Sequence, residues 1–213
     1  MTTRKIKICG LTQSEQIVDL ESNENIAYTG FIFYEKSPRN ACSLTVVPPK
    51  KSNVKRVGVF VNPSIEDIMD KINPFQLDMV QLHGNETTEF CEELIAKGIT
   101  VSKAFGIAEA KDLDQLRPYD NIGIEHFVLD TKTIHYGGSG KQYDWDILLN
   151  YAFATPFLLS GGIGPDDSDK LKKFTPSKCI GYDLNSKFES SPGIKSLDLI
   201  QGFITDYYEL VND

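Results

Sequence analysis

No apolar run in this 213-residue chain is long enough to cross a bilayer, and the first residues enter an alternating strand pattern at once. Nothing there has the charged, apolar and small-residue parts of a signal peptide, so a reducing cytoplasm and no membrane partner are expected. Positive charge is in deficit. Lys and Arg number 22 against 30 Asp and Glu, a net charge of −8 that argues against nucleic acid as the partner and leaves room only for a local phosphate site. The four cysteines are scattered, with neither metal-ligand spacing nor a disulfide framework. No glycine cluster has the spacing of a dinucleotide fingerprint or a Walker loop. Linkers and low-complexity tracts are missing too, so one domain over residues 1–213 is expected.

What is present is alternation. Lys5-Ile6-Lys7-Ile8-Cys9 is a period-two run that stops at Gly10, and Thr12-Gln13-Ser14-Glu15 then opens a helix with an acidic first turn. Further helices are predicted from an N-cap at Ser64 to about Ile72, over 87–97 with Gly98 closing it, and over 110–116, 144–151, 166–174 and 197–211. Between them 28–33, 55–61, 79–82, 100–105, 126–130, 157–160 and 179–184 read as strands. The stretch 40–53 allows at most a short or degenerate second helix, because Pro48 and Pro49 end it. Strand-then-helix alternation demands a parallel sheet, and eight such units closing on themselves make a (β/α)8 TIM barrel of the α/β class.

In that architecture functional groups lie at or just past the C-terminal ends of the strands. The polar and glycine residues falling there are Cys9, Arg39, Gln81 with His83, Asp130, Gly137-Gly138-Ser139-Gly140, Gly161-Gly162, and Asp183 with Asn185 and Ser186. Each has a plainer reading. Cys9 taken alone is a small hydrophobe closing a strand. Asp130 taken alone is a cap, but no helix begins directly after it, which favours a carboxyl group facing the barrel mouth. Arg39 is either a solvated surface residue or a guanidinium fork for a carboxylate. His83 suits a structural hydrogen bond as well as catalysis. Gly161-Gly162 and Asn185-Ser186, after the seventh and eighth strands, occupy the places where barrels of this type hold phosphate through backbone N–H groups.

The chain resembles the phosphoribosylanthranilate isomerase family through a series of segments in family order. They are 7–12 (KICGLT), 30–39 (GFIFYEKSPR), 57–62 (VGVFVN), 80–84 (VQLHG), 129–133 (LDTKT), 137–141 (GGSGK) with Asp144-Trp145, 159–163 (LSGGI) and 192–195 (PGIK). Lys187 departs from the pattern, standing where the family usually has glycine. The resemblance implies a (β/α)8 barrel performing an Amadori rearrangement without metal or organic cofactor. It implies Asp130 as general acid, Cys9 as general base, Arg39 on the anthranilate carboxylate, and Gln81, His83 and Asp183 in substrate-contacting segments. Gly161, Gly162, Asn185 and Ser186 would hold the phosphate. The acid needs a pKa raised toward neutrality and the thiol a pKa lowered toward it. A small-molecule substrate is then the partner, and the assembly a monomer or homodimer.

Other sugar-phosphate barrels fit less well. A pentose-phosphate epimerase resembles a site of paired histidines and aspartates around a metal, and of the three histidines here only His83 lies at a strand end. Indole-glycerol-phosphate synthase relies on a lysine and glutamate pair where this chain offers Cys9 and Asp130. A phosphate-binding barrel without catalysis would lack an acid or a base.

Overall fold

The structure, a computed structural model, describes residues 4–132 and 142–209. The glycine run 137–140 and the predicted end of the last helix at Val211 lie outside the described residues. Strands β1 (Lys5–Cys9), β2 (Ile26–Phe33), β3 (Lys55–Phe60), β4 (Met79–Leu82), β5 (Val101–Ile107), β6 (His126–Thr131), β7 (Phe157–Leu159) and β8 (Cys179–Leu184) form a closed barrel in chain order. Every neighbouring pair is parallel, β1 against β8 included. At the β1–β8 seam Lys5 lies opposite Gly181, where a Cβ would overlap the Lys5 carbonyl oxygen. Glycine is what lets the barrel close there.

The alternation of β1 has an inverted sense. Its isoleucines, Ile6 and Ile8, pack outward into the main apolar layer between sheet and helices, which also takes Phe60, Leu82, Phe127 and Tyr182. Its lysines and Cys9 take the other face, toward the barrel interior, where Cys9 packs with Tyr28, Val57, Val59 and Met79. A polar stripe on a strand that is buried on both faces therefore marks the inside of the barrel.

The outer layer is thinner than the sequence predicts. True α-helices are α1 (Ser14–Glu21), α2 (Ile65–Phe75), α3 (Thr88–Ala96), α4 (Ser168–Lys173) and α5 (Leu197–Glu209). Ser64 caps α2 with a full capping box to Asp67, and Thr87 caps α3 by accepting from the Phe90 N–H. Instead of ending near Ile72, α2 runs through Pro74 to a left-handed Gln76. The predicted helices after β5 and β6 are 3-10 segments, Ala110–Tyr119 and Trp145–Asn150. In the first, Asp112 accepts from the N–H groups of Ala108 and Glu109, and Pro118 removes a donor needed for α-helical pairing. After β8 the chain makes a small antiparallel hairpin, β9 (Glu189–Ser191) and β10 (Ile194–Lys195), before α5. No described helix is long and apolar enough to cross a membrane.

The degenerate second helix is a three-residue 3-10 turn, Ala41–Ser43. Where a helix would cover β3, the side chain of Arg56 does so, fully buried. Its Nε and Nη2 donate to the two carboxylate oxygens of Glu21 at 2.7 and 2.9 Å, Nη2 also donates to the Pro48 carbonyl, and Nη1 donates to the Phe75 carbonyl. Thr29 Oγ1 donates to the same Glu21 carboxylate. The guanidinium thus ties α1, the irregular proline segment and the end of α2 to one strand. At the other end of the fold the Tyr208 hydroxyl donates to the Arg4 carbonyl at 2.8 Å, and Arg4 Nη1 donates to the Cys179 carbonyl.

A buried ion that loses its partner is penalised far more than a surface one. Glu21→Gln should therefore lower unfolding stability by about 3 kcal/mol, read from urea denaturation at unchanged m-value; a loss below about 1 kcal/mol would mean that solvent reaches Arg56.

Candidate active site

Of the ten residues to which the resemblance gives a catalytic or binding role, nine line one cavity of about 720 Å³ at the C-terminal mouth of the barrel: Cys9, Gln81, His83, Asp130, Gly161, Gly162, Asp183, Asn185 and Ser186. Ile32, Tyr34, Val59, Val61 and Ile163 supply its apolar wall. Cys9 ends β1 and Asp130 lies near the end of β6, two strands separated by β7 and β8, so the thiol and the carboxyl belong to different sides of the mouth. Gly30 lies beside Cys9 in the β1–β2 register, and a Cβ there would come 2.8 Å from the Cys9 sulfur. A glycine at that point makes room for the thiol.

Asp130 is held from several sides. The Thr131 N–H donates to its Oδ1 at 2.8 Å, and His83 Nε2 stands 3.6 Å from its Oδ2. Burial raises the carboxyl from its ordinary value to about 6, with the negative charge of Asp183 adding to the rise. The Thr131 N–H, the Lys7 ammonium and Ser160 oppose it. The group is thus a carboxylic acid with a pKa near neutrality, as the sequence reading requires of an acid. His83 is pushed down to about 3 by burial and by the ammonium groups of Lys103 and Lys7, although 26% of its side chain is open to the cavity mouth. Its ring is neutral.

The thiol departs from expectation. A lowered pKa is anticipated for Cys9, and Lys7 and Lys195 both act in that direction. Burial outweighs them, and Asp183 reinforces it, so the thiol stays above its ordinary value. The cause is the dry setting. Cys9 is 4% exposed, and the thiolate has little water to solvate it.

Arg39 is the one residue of the ten outside the cavity lining, and it is not a free fork. Its Nε and Nη2 donate to Glu189 with distances of 2.7–3.0 Å. Glu189 also accepts from Lys195 Nζ at 2.7 Å and from the Gly193 N–H. One edge of the guanidinium is taken up in this buried cluster, so any carboxylate would have to use the Nη1 side.

In the loop after β7, Gly161 and Gly162 both adopt positive φ, +93° and +68°, which side chains disfavour. A Cβ on Gly161 would overlap Thr131 and approach Asp130 Oδ1. The loop after β7 therefore sits directly against the acid. Asn185 and Ser186 begin a 3-10 turn, Ser186–Phe188, and Asn185 Oδ1 accepts from Lys195. Lys187 is exposed, with its stem close to Gly164. Among the described residues no three His, Cys, Asp or Glu side chains group so as to hold a metal ion.

Sequence reasoning missed Lys7, Glu189 and Lys195. Lys7 had a signal, since it lies two residues before Cys9 on the same face of β1. Lys195 had one too, since it closes the matched segment 192–195, whereas nothing near Glu189 announces Arg39, its partner 150 residues away.

Comparison with known proteins agrees over nearly the whole chain. The model of the family described as N-(5'-phosphoribosyl)anthranilate (PRA) isomerase matches residues 6–206. A protein named N-(5'-phosphoribosyl)anthranilate isomerase from Parabacteroides distasonis is 41% identical over 203 residues, 93% of this chain and 91% of the relative. The crystal structure of phosphoribosyl anthranilate isomerase from Thermotoga maritima superposes with a TM-score of 0.80 at 35% identity, covering 97% of this chain and 99% of that one. A structure of such an isomerase in complex with reduced 1-(o-carboxyphenylamino)-1-deoxyribulose 5-phosphate gives a TM-score of 0.77 at 31% identity, with 97% and 99% covered.

A carboxyl group whose folded pKa lies above its unfolded one destabilises the fold once ionised, and the penalty vanishes as pH falls below both values. With Asp130 at about 6 against an ordinary 3.8, Asp130→Asn should stabilise the chain by about 2–3 kcal/mol at pH 8. The gain should fade between about pH 6 and pH 4 in thermal unfolding, and a pH-independent gain would contradict the raised pKa.

Proposed function

The chain belongs to the N-(5'-phosphoribosyl)anthranilate isomerase family, and from that premise we propose that one barrel domain performs the reaction with Cys9 as base and Asp130 as acid. The reaction is the Amadori rearrangement of N-(5-phosphoribosyl)anthranilate to 1-(2-carboxyphenylamino)-1-deoxyribulose 5-phosphate, the third step of tryptophan synthesis from chorismate. The observation that carries the assignment is the convergence of a thiol and a near-neutral carboxylic acid on one cavity beside two glycine-bearing strand ends.

Asp130 protonates the ribose ring oxygen while the C1–O bond breaks and the amine lone pair forms a C1=N iminium. Cys9 gives up its own proton to solvent, an ionisation that the Lys7 and Lys195 ammonium groups favour, and the thiolate then removes the proton from C2. The electrons of that C–H bond form C1=C2 and neutralise the iminium nitrogen, giving an enaminol. Loss of the O2 proton and protonation at C1 complete the ketone. The iminium is the electron sink, so no cofactor is needed. It also acidifies the C2 proton, which suits a thiol whose pKa burial holds high.

The backbone at Gly161, Gly162, Asn185 and Ser186 holds the phosphate, and the ribose lies between it and the acid. Gln81, His83 and Asp183 face the sugar. Asp183 Oδ1 supports that role, having no hydrogen-bond partner among the described residues and so an unmet need that a substrate hydroxyl would satisfy. Arg39 takes the anthranilate carboxylate through its Nη1 side, with Glu189 fixing the opposite edge.

Cys9→Ala should lower kcat by about 10²–10⁴-fold while leaving affinity for the reduced product analogue nearly unchanged; near-normal turnover would remove the thiol from the mechanism. Asp130→Asn should lower kcat by a similar factor, because the amide keeps the shape and cannot release a proton. For Arg39→Ala, affinity for ligands carrying the benzoate carboxylate should fall about 10- to 100-fold more than for ligands lacking it, as titration calorimetry would show. Equal losses would make Arg39 structural.

A further inference from the structure

Lys7 is 1% exposed, in the interior of the barrel, one step below Cys9 on the inward face of β1. Its Nζ donates to Gln81 Oε1 of β4 at 2.9 Å and to Asp183 Oδ2 of β8 at 3.0 Å, and its charge acts on the Cys9 sulfur, two residues on along the same face of β1. Gln81, Asp183 and Cys9, on three strands, all line the cavity. An ammonium can only donate, so Gln81 must present its oxygen to Lys7. That leaves the Gln81 Nε2 toward His83 Nδ1, 3.3 Å away. A neutral histidine facing an N–H donor must accept at Nδ1, which puts its own proton on Nε2. Nε2 is the atom beside Asp130 Oδ2. A continuous chain of polar contacts therefore joins the thiol side of the mouth to the acid side.

We propose that Lys7 is a positioning residue for the isomerisation, a single buried ammonium that orients Cys9 and Asp183 directly and Asp130 through the Gln81–His83 pair. The proposal rests on the reading of Cys9 as base and Asp130 as acid. Through it, one charge acts on both groups in the same direction. Cys9 is faced by Lys7 on its own strand, Asp183 from β8 and Lys195 from β10. Asp130 is faced by Asp183, Lys7, His83, the Ser160 hydroxyl and the Thr131 N–H. Lys103 and Lys7 face His83. In both reactive groups Lys7 favours the ionised form, so its removal moves both titrations to higher pH. A residue that only supported the fold would change the height of the pH profile and leave its limbs in place.

Two measurements test this. In the wild-type chain, ¹⁵N NMR of labelled histidine should show His83 protonated at Nε2 and bare at Nδ1 at neutral pH; the opposite tautomer would break the chain at Gln81 and overturn the proposal whether or not any variant folds. In Lys7→Gln and Lys7→Met, both limbs of kcat/KM against pH should move to higher pH by about one unit, a tenfold change in each ionisation. In a Cys42→Ser background, alkylation of Cys9 by iodoacetamide should move to higher pH by the same amount. Unmoved limbs with reduced height would assign Lys7 a structural role only. The tautomer and the alkylation do not depend on turnover. An active Cys9→Ala enzyme with a normal His83 tautomer would thus fault the assignment of the base, and not the part given to Lys7.

Discussion

Placing an ammonium inside a sheet of apolar strands costs several kcal/mol unless its neighbours match it closely. In this barrel the matching of Lys7 dictates much of the mouth. Lys7 and Asp183 are register partners across the β1–β8 seam, so the pairing that closes the barrel also pairs the charges. Had the seam slipped by one residue, Lys7 would face the helix layer and Ile8 the interior. The ion pair thus requires one register at the seam, and that register sets Asp183 at the cavity wall. Gln81 completes the set from the third strand.

The same low-polarity setting acts on three ionisable groups of the cavity lining. Burial raises the acid at Asp130, raises the thiol at Cys9, and keeps His83 neutral. For a general acid this is useful as it stands, whereas at Cys9 burial outweighs the Lys7 and Lys195 charges and keeps the thiol above its ordinary value. Gly161 after β7 brings backbone rather than a side chain against Asp130, so the carboxyl is desolvated without being crowded by a further ion.

The parts of this design that depend on near neighbours in the chain were legible in the sequence. The period-two run ending at Gly10 located β1, Ser64 located the start of α2, and Pro48-Pro49 announced the degenerate second helix. The polar residues at strand ends converge because parallel topology brings those ends to one rim, and nine of the ten line the cavity. Distance along the chain is where the reading stopped. Arg39 finds its partner 150 residues away in Glu189, and no local pattern announces such a pair. The segments after β5 and β6 carry helical periodicity but wind as 3-10 turns, because side-chain capping by Asp112 and a proline at 118 outweigh it. The state of the Cys9 thiol was misjudged for a related reason. The resemblance implies an ionisable thiol there, whereas the degree of burial belongs to the assembled barrel.

The bond from the Tyr208 hydroxyl to the Arg4 carbonyl ties the last helix to the first strand on the face opposite the cavity. Because β1 starts there and α5 returns there, the two ends of the described chain emerge side by side beneath the barrel. Cargo fused to either end would hang from the underside and leave substrate traffic through the mouth unobstructed, and a short tether between the ends would permit circular permutation with new openings cut in the outer loops.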